Sequence, residues 1–237
     1  MIEALPVPFA RVLGEQVGEL CARLQTDNGV TVRSGVQVTE FLDTSLDTGG
    51  IAVGLADGSV VRSDCAVVGV GTVVDTAWLA GLGVPAENGL PCDGTGLVEG
   101  TDKVYAVGDV AAWPHPTIGD RPRIEHWTSA TEQAMVVGQR IAGAEITGPA
   151  DAVPYFWSDQ YGLKVQLVGR PDLASTVAVL HDPGVIKGTV AGYFADDTMV
   201  AALAFHSPRL LNRCRALVRA GASEQQARRT LSELVSS

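Results

Sequence analysis

Asp109 is the carboxylate whose setting in this sequence suits chemistry. It follows Gly108 and the apolar run Val104 to Val107, which reads as a short strand buried on both faces in a parallel sheet. Open α/β sheets bind ligands at the carboxyl ends of such strands. A carboxylate there can accept hydrogen bonds from a polyol, and Gly108, with no side chain, lets a ligand approach the backbone. An isolated Gly-Asp after a strand is otherwise a plain turn. Other chemistries are poorly served. Cys21, Cys65, Cys92 and Cys214 make no C-x-x-C pair, and His115, His126, His181 and His206 have no metal-ligand spacing. A redox dithiol, a zinc knuckle and a disulfide framework are therefore not expected.

Helices, strands and turns must position that carboxylate. Phe9, Leu13, Val17, Leu20 and Leu24 repeat at helical spacing, with Asp27-Asn28-Gly29 as the stop. Val30 to Val32 and Val36 to Val38 are short β-like runs. Ile51, Val53 and Leu55 alternate up to the hairpin turn Asp57-Gly58, and the partner strand begins at Val60. Cys65 to Val70 reads as a buried strand ending in Gly69-Val70-Gly71. Asp75 can cap a short helix that Gly81 and Gly83 close. After Asp109 and a Pro/His-containing loop comes Arg123-Ile-Glu125-His126-Trp127. Ser129 with Glu132 then forms a capping box for a helix whose apolar stripe is Ala130, Ala134, Val137 and Ile141.

From Val153 the pattern becomes α+β. An aromatic cluster precedes a strand from Leu163 to Val168, and Val177 to Leu180, Thr189 to Phe194 and Met199 to Phe205 read as further strands. Ser207-Pro208 opens a helix with Leu210, Leu211, Cys214, Leu217 and Val218 on one face. Ser223 with Gln226 starts a last short helix. Gly148 to Asp151 looks like a linker. The expected fold is α/β, with domains over 1–71, 72–150 and 151–237.

Five segments together resemble the FAD-dependent NAD(P)H:ferredoxin reductases, within the pyridine nucleotide-disulphide oxidoreductase-like superfamily. They are EALPVPFARVLG, the strand ending at Gly71, TDKVYAVGDVA, RIEHWTSATEQA and VPYFWSDQYG, in that order along the chain. TDKVYAVGDVA points to the wider two-dinucleotide-fold flavoproteins, and RIEHW with FWSDQY narrows the resemblance. It implies an incomplete two-dinucleotide-binding-domain flavoprotein fold followed by an α+β C-terminal domain. No G-x-G-x-x-G occurs; Gly69-Val70-Gly71 supplies only a G-x-G. In the family such motifs hold the pyrophosphates of FAD and of the nicotinamide cofactor. The sequence is thus expected to be an N-terminally truncated form.

The resemblance implies a set of roles. Gly108 and Asp109 would hold the ribityl chain of FAD. Glu125, His126 and Trp127 would share its cleft, with Trp127 beside the isoalloxazine, unless Trp127 is a core anchor. The N-terminus of the helix after Ser129 would stabilise negative charge on the reduced ring. Glu3 would hydrogen-bond a ribose 2′-hydroxyl and favour NADH over NADPH, or be a solvated surface residue. Gly69 and Gly71 would admit the nicotinamide ribose, or form a strand-end turn. Trp157 and Tyr161 would face the electron acceptor, a ferredoxin-type iron–sulfur protein, unless they are core aromatics of the last domain. Arg209, Arg213, Arg215 and Arg219, with Arg228 and Arg229, could steer that acidic partner, although arginines on a helix are commonly its solvated face. No side chain is implied as a catalytic nucleophile or base.

A net charge of −10 argues against a nucleic-acid or anionic-membrane partner. No apolar run is long enough to span a membrane and no signal peptide is evident, which points to the cytoplasm. The alternative is a non-catalytic, oligomerising or binding module, since a parallel sheet missing a βαβ unit leaves strand edges open to other chains.

Overall fold

The structure, a computed structural model, describes residues 1–43, 50–115, 121–146 and 153–236. The expected linker Gly148 to Asp151 lies outside the described residues, as does the domain boundary within it. Strand β1 (Ile2–Glu3) pairs in parallel with β2 (Arg33–Ser34), and helix α1 (Ala10–Asp27) connects them. Val17, Cys21 and Leu24 turn inward at i, i+4 and i+7. Asn28 ends the helix by donating its side-chain N–H to the carbonyl of Leu24 at 2.8 Å. Gly14 interrupts it (φ 75°, ψ 165°), and Phe9 sits before it in the left-handed region, 42% exposed. The apolar stripe therefore begins at Leu13 and not at Phe9. The β-like runs around Arg33-Ser34-Gly35 are also corrected. Pairing with β1 makes Arg33–Ser34 itself the strand, and the next begins only at Val38.

Strands β3 (Val38–Asp43), β4 (Ile51–Leu55) and β5 (Val60–Ser63) form an antiparallel meander. The Asp57-Gly58 turn is as expected: Leu55 N–H donates to Ser59 O and Gly58 N–H to Leu55 O, both at 2.9 Å. The run from Cys65 to Val70 is not a buried strand. It belongs to no strand, and Val67 is 97% exposed and Val70 86%. An apolar sequence becomes a buried strand only with neighbours on both sides, and the described residues offer it none. A 3₁₀ turn at Ala77–Leu82 follows, with Asp75 accepting from Ala77 N–H and left-handed Gly83 closing it.

Strand β6 (Leu90–Pro91) pairs in parallel with β7 (Ala111–Ala112). Val104 to Val107 is likewise not a strand buried in a parallel sheet. Tyr105 bridges Leu97 in antiparallel fashion, only Ala106 is buried, and Val107 is 37% exposed. A small core of Leu79, Leu90, Cys92, Val98, Ala106 and Ala111 nevertheless fixes the segment. The indole N–H of Trp113 donates to Ala106 O at 2.9 Å.

Helix α2 (Trp127–Ile141) starts two residues before the expected capping box, with His126 at its N-cap and no side-chain cap. Its buried residues are Val136 and Val137. Ala134 is exposed and Ile141 70% exposed, so the expected stripe is only partly covered.

Strands β8 (Tyr155–Gln160), β9 (Leu163–Gly169), β10 (Thr176–His181), β11 (Val190–Ala195) and β12 (Thr198–Phe205) form an antiparallel sheet of order β10-β11-β12-β9-β8. The aromatic cluster is thus itself the strand β8. Asp196 and Asp197, both at positive φ, turn β11 into β12. Side-chain alternation splits the core between two faces. Val165, Leu167, Tyr193, Leu203 and Phe205 face α1, whereas Val168, Phe194, Met199, Ala202 and Ala204 face helices α3 (Pro208–Ala220) and α4 (Glu224–Ser236). Ser223 and Gln226 cap α4 reciprocally, as their spacing predicts. No described helix is long and apolar enough to cross a membrane.

Candidate functional site

Gly108–Val110 is a single 3₁₀ turn that leads into β7. Gly108 has φ 73°, a conformation that costs other residues roughly 1–2 kcal/mol, so glycine here is a backbone requirement. Its N–H donates to the side-chain oxygen of Gln133 on α2 at 2.8 Å. The Asp109 carbonyl accepts from Nη1 of Arg123 at 2.9 Å. The Asp109 carboxylate is exposed and makes no hydrogen bond among the described residues. A carboxylate is thus carried on hydrogen-bonded backbone with its oxygens turned to no partner among the described residues.

Glu125, His126 and Trp127 gather beside it. Glu125 pairs with Arg123 at 2.5 Å. His126 is half-buried, its ring 5.6 Å from that of Phe156, and its Nδ1 is buried without a hydrogen-bond partner among the described residues. Burial pushes the His126 pKa below its ordinary 6.5, and the Arg170 charge adds to this, while Asp109 and Glu125 pull the other way. A depressed histidine favours the folded state fully above about pH 6.5 and loses that advantage as pH falls through 6.5 toward the folded value, because the unfolded chain binds the proton first. Stability is therefore expected to fall from about pH 6.5 downward, and less so in His126→Gln. Chemical denaturation of both proteins between neutral and mildly acidic pH checks this.

Trp127 is 79% exposed at the first turn of α2, so it is not a core anchor. No acidic side chain and no side-chain cap occupies that turn, leaving backbone N–H groups and the positive end of the helix dipole open. A cavity of about 370 Å³ lies next to the group, lined by Phe9, Val12, Glu125, His126 and Phe156 among others.

Trp157 stands apart. It neighbours Phe156 on β8 and so faces the other side of the sheet, stacked on Tyr155 with ring centres 5.6 Å apart. Arg215 lies over the far ring at 5.4 Å and Lys164 over Trp157 at 5.8 Å. The hydroxyl of Tyr161 donates to Gln25 on α1. Glu3 accepts from Leu5 N–H at 2.9 Å, a local turn. Gly69 has open space around it, and the nearest atom to a Cβ at Gly71 would be an Arg11 nitrogen at 3.7 Å. No hydrogen bond or ion pair joins Glu3, Gly69 or Gly71 to the Asp109 group among the described residues. Of the arginines, Arg228 pairs with Glu224 and Arg229 with Glu233, whereas Arg209 and Arg213 are exposed. Burial pushes Cys21 and Cys214 up to about 12 and Cys92 to about 11, so none is a ready thiolate. No group of metal-ligating side chains occurs among the described residues.

The sequence profile of the pyridine nucleotide-disulphide oxidoreductases matches residues 1–134, and that of the reductase C-terminal domain matches residues 155–231. The chain belongs to the pyridine nucleotide-disulphide oxidoreductase family. Within it, the chain groups with the ferredoxin reductases. It is 38% identical over 194 residues to the ferredoxin reductase subunit of the 5,5'-dehydrodivanillate O-demethylase of a Sphingobium species, covering 81% of this chain and 44% of that one. It is 31% identical to a ferredoxin–NAD(P)(+) reductase of a Sphingomonas species, covering 95% and 55%. Among solved structures, Fdr9 superposes with a TM-score of 0.79 at 31% identity, over 94% of this chain and 55% of that one. A ferredoxin reductase from Rhodopseudomonas palustris reaches 0.84 at 24% identity, covering 95% and 55%, a likeness of fold. The chain spans about half the length of the curated relatives it matches.

The family implies a flavin and a pyridine nucleotide. The residues in hand fit the flavin's polyol and ring: an exposed carboxylate with no hydrogen bond among the described residues, an uncapped helix N-terminus and an exposed tryptophan on its first turn. They do not provide the glycine-rich turn that holds a pyrophosphate, since the sequence contains none.

Proposed function

We propose that the chain serves electron transfer from NADH, through FAD, to a ferredoxin-type iron–sulfur protein. The Asp109 carboxylate, exposed and without a hydrogen bond among the described residues on a turn anchored to α2, is the observation that carries this reading. Asp109 binds the ribityl hydroxyls, and the first turn of α2 offers its dipole to the pyrimidine end of the ring. Trp127 covers the ring, and Glu125 and His126 wall the cleft. When bound, FAD supplies a group that takes up a hydride and releases electrons one at a time. The chain itself needs no nucleophile, in keeping with the burial of Cys21, Cys92 and Cys214. Arg209 and Arg213 give an acidic partner a local positive surface, and the partners named for relatives support that assignment. Titration with FAD followed by NADH tests the proposal. Visible flavin absorption that bleaches on NADH addition is the expected result, and a colourless protein after FAD incubation sinks it.

Glu3 sits at the end of β1, where an acidic side chain discriminates the ribose 2′-hydroxyl from a 2′-phosphate. Glu3→Ala is expected to move the NADPH/NADH preference toward NADPH by roughly fivefold, the size of one surface charge interaction of about 1 kcal/mol. Initial rates with each nucleotide measure it, and an unmoved ratio removes Glu3 from the site.

A second reading has its own observation. The exposed apolar run through Val67, Val70 and Val73 suits a non-catalytic module that associates with other chains. A concentration-independent monomer by light scattering eliminates it.

A further inference from the structure

A three-residue 3₁₀ turn has few internal hydrogen bonds, and their geometry is poorer than in an α-helix. Gly108–Val110 is such a turn, and two side chains from the segment that follows it grip its backbone. On one side, Gln133 of α2 accepts from Gly108 N–H at 2.8 Å. On the other, Arg123 donates from Nη1 to the Asp109 carbonyl at 2.9 Å. The same nitrogen of Arg123 contacts Glu125 at 2.5 Å, and its Nε reaches the Asn88 side-chain oxygen at 3.4 Å, a weak bond. Its side chain is only 17% exposed. Space for its stem comes from Gly89, where a Cβ would lie 2.5 Å from Arg123 Cδ and 2.7 Å from the Val110 carbonyl. The guanidinium thus ties together the loops that carry Asn88, Asp109 and Glu125. Neither grip uses the Asp109 carboxylate.

We propose that Arg123 and Gln133 are positioning residues that clamp the Gly108–Asp109 peptide from both ends and so aim the Asp109 carboxylate at its ligand. The inference rests on the flavin-site reading above and adds to it the residues that set its geometry. Either grip alone would leave the turn free to swing about the other.

The test uses the full chain. Gln133→Leu removes the acceptor, whereas Gln133→Glu keeps an oxygen in its place. Arg123→Met removes the donors, whereas Arg123→Lys keeps one charged donor. Amide exchange is expected to quicken by about tenfold at Gly108 in Gln133→Leu and at Ala111, whose N–H bonds to Gly108 O, in Arg123→Met. Gln133→Glu and Arg123→Lys are expected to recover most of that protection, with β9 and β12 unchanged throughout. In FAD titrations, Arg123→Met is expected to weaken binding by about tenfold when Asp109 is present and by less than about twofold in an Asp109→Ala background. Unchanged exchange at Gly108 and Ala111 overturns the clamp, as does an equal loss of FAD affinity with and without Asp109. If the unsubstituted chain takes up no FAD, the flavin-site reading fails instead, and the exchange rates alone decide the clamp.

Discussion

Asp109→Ala is expected to cost flavin affinity about 1.5–3 kcal/mol, the value of hydrogen bonds to a charged group, or roughly 10- to 150-fold in dissociation constant. The fold should not notice. The carboxylate is exposed and bonds to nothing among the described residues, so its removal leaves no buried group unsatisfied. Thermal midpoint and FAD titration together check the split: lost affinity with an unchanged midpoint is the expected pair. An unchanged affinity takes Asp109 out of the site. Asp109→Asn keeps the acceptor oxygen and drops the charge, and should fall between the two.

Gly96→Ala is expected to do the opposite, destabilising the fold while leaving every site side chain in the sequence. Gly96 has φ 83°, which costs a residue with a Cβ roughly 1–2 kcal/mol. Its Cβ would also lie 2.5 Å from both Trp113 Cζ2 and Val137 Cγ2. Overpacking of that kind adds about 1–3 kcal/mol. The total, about 2–5 kcal/mol, is a large share of a small domain's stability. The damage is local to the supports of the site. Trp113 anchors Ala106 through its indole N–H, and Val137 is the buried residue of α2 facing this loop. Denaturant unfolding measures the loss, and flavin retention should drop with it. A midpoint shift of less than the equivalent of about 1 kcal/mol would show that Trp113 can step aside.

The C-terminal half was largely legible in the sequence. The strand-like runs from Leu163, Val177, Thr189 and Met199, the Ser207-Pro208 helix start and the Ser223/Gln226 cap are local signals, and local structure followed them. The failures share one cause. Val104 to Val107 and Cys65 to Val70 carry the composition of fully buried parallel strands, but burial depends on partners that composition cannot count. Helix α2 differs for the same reason: its residues suggest a stripe through Ala130, Ala134, Val137 and Ile141, whereas its orientation buries Val136 and Val137 and brings Gln133 to Gly108. At the candidate site, Gly108, Asp109 and Trp127 stand out through a turn and a resemblance. Arg123 and Gln133 did not, because a side chain that bonds to backbone 14 or 25 residues away leaves no spacing to read.

Helix α1 lies almost at the start of the sequence and seals one face of a sheet built from residues 155–205. Tyr193 donates its hydroxyl to the Leu13 carbonyl across 180 positions, and Gln25 reaches Gln160 across 135. On a ribosome, the helix emerges long before the surface it must cover. It waits with Val17, Cys21 and Leu24 uncovered, and the sheet cannot finish its interior until the two ends meet. Closing so long a loop makes docking of α1 a late step in folding, and a slow one. A nascent chain of this sequence therefore has a window in which both greasy faces are open, the interval when holding chaperones matter most.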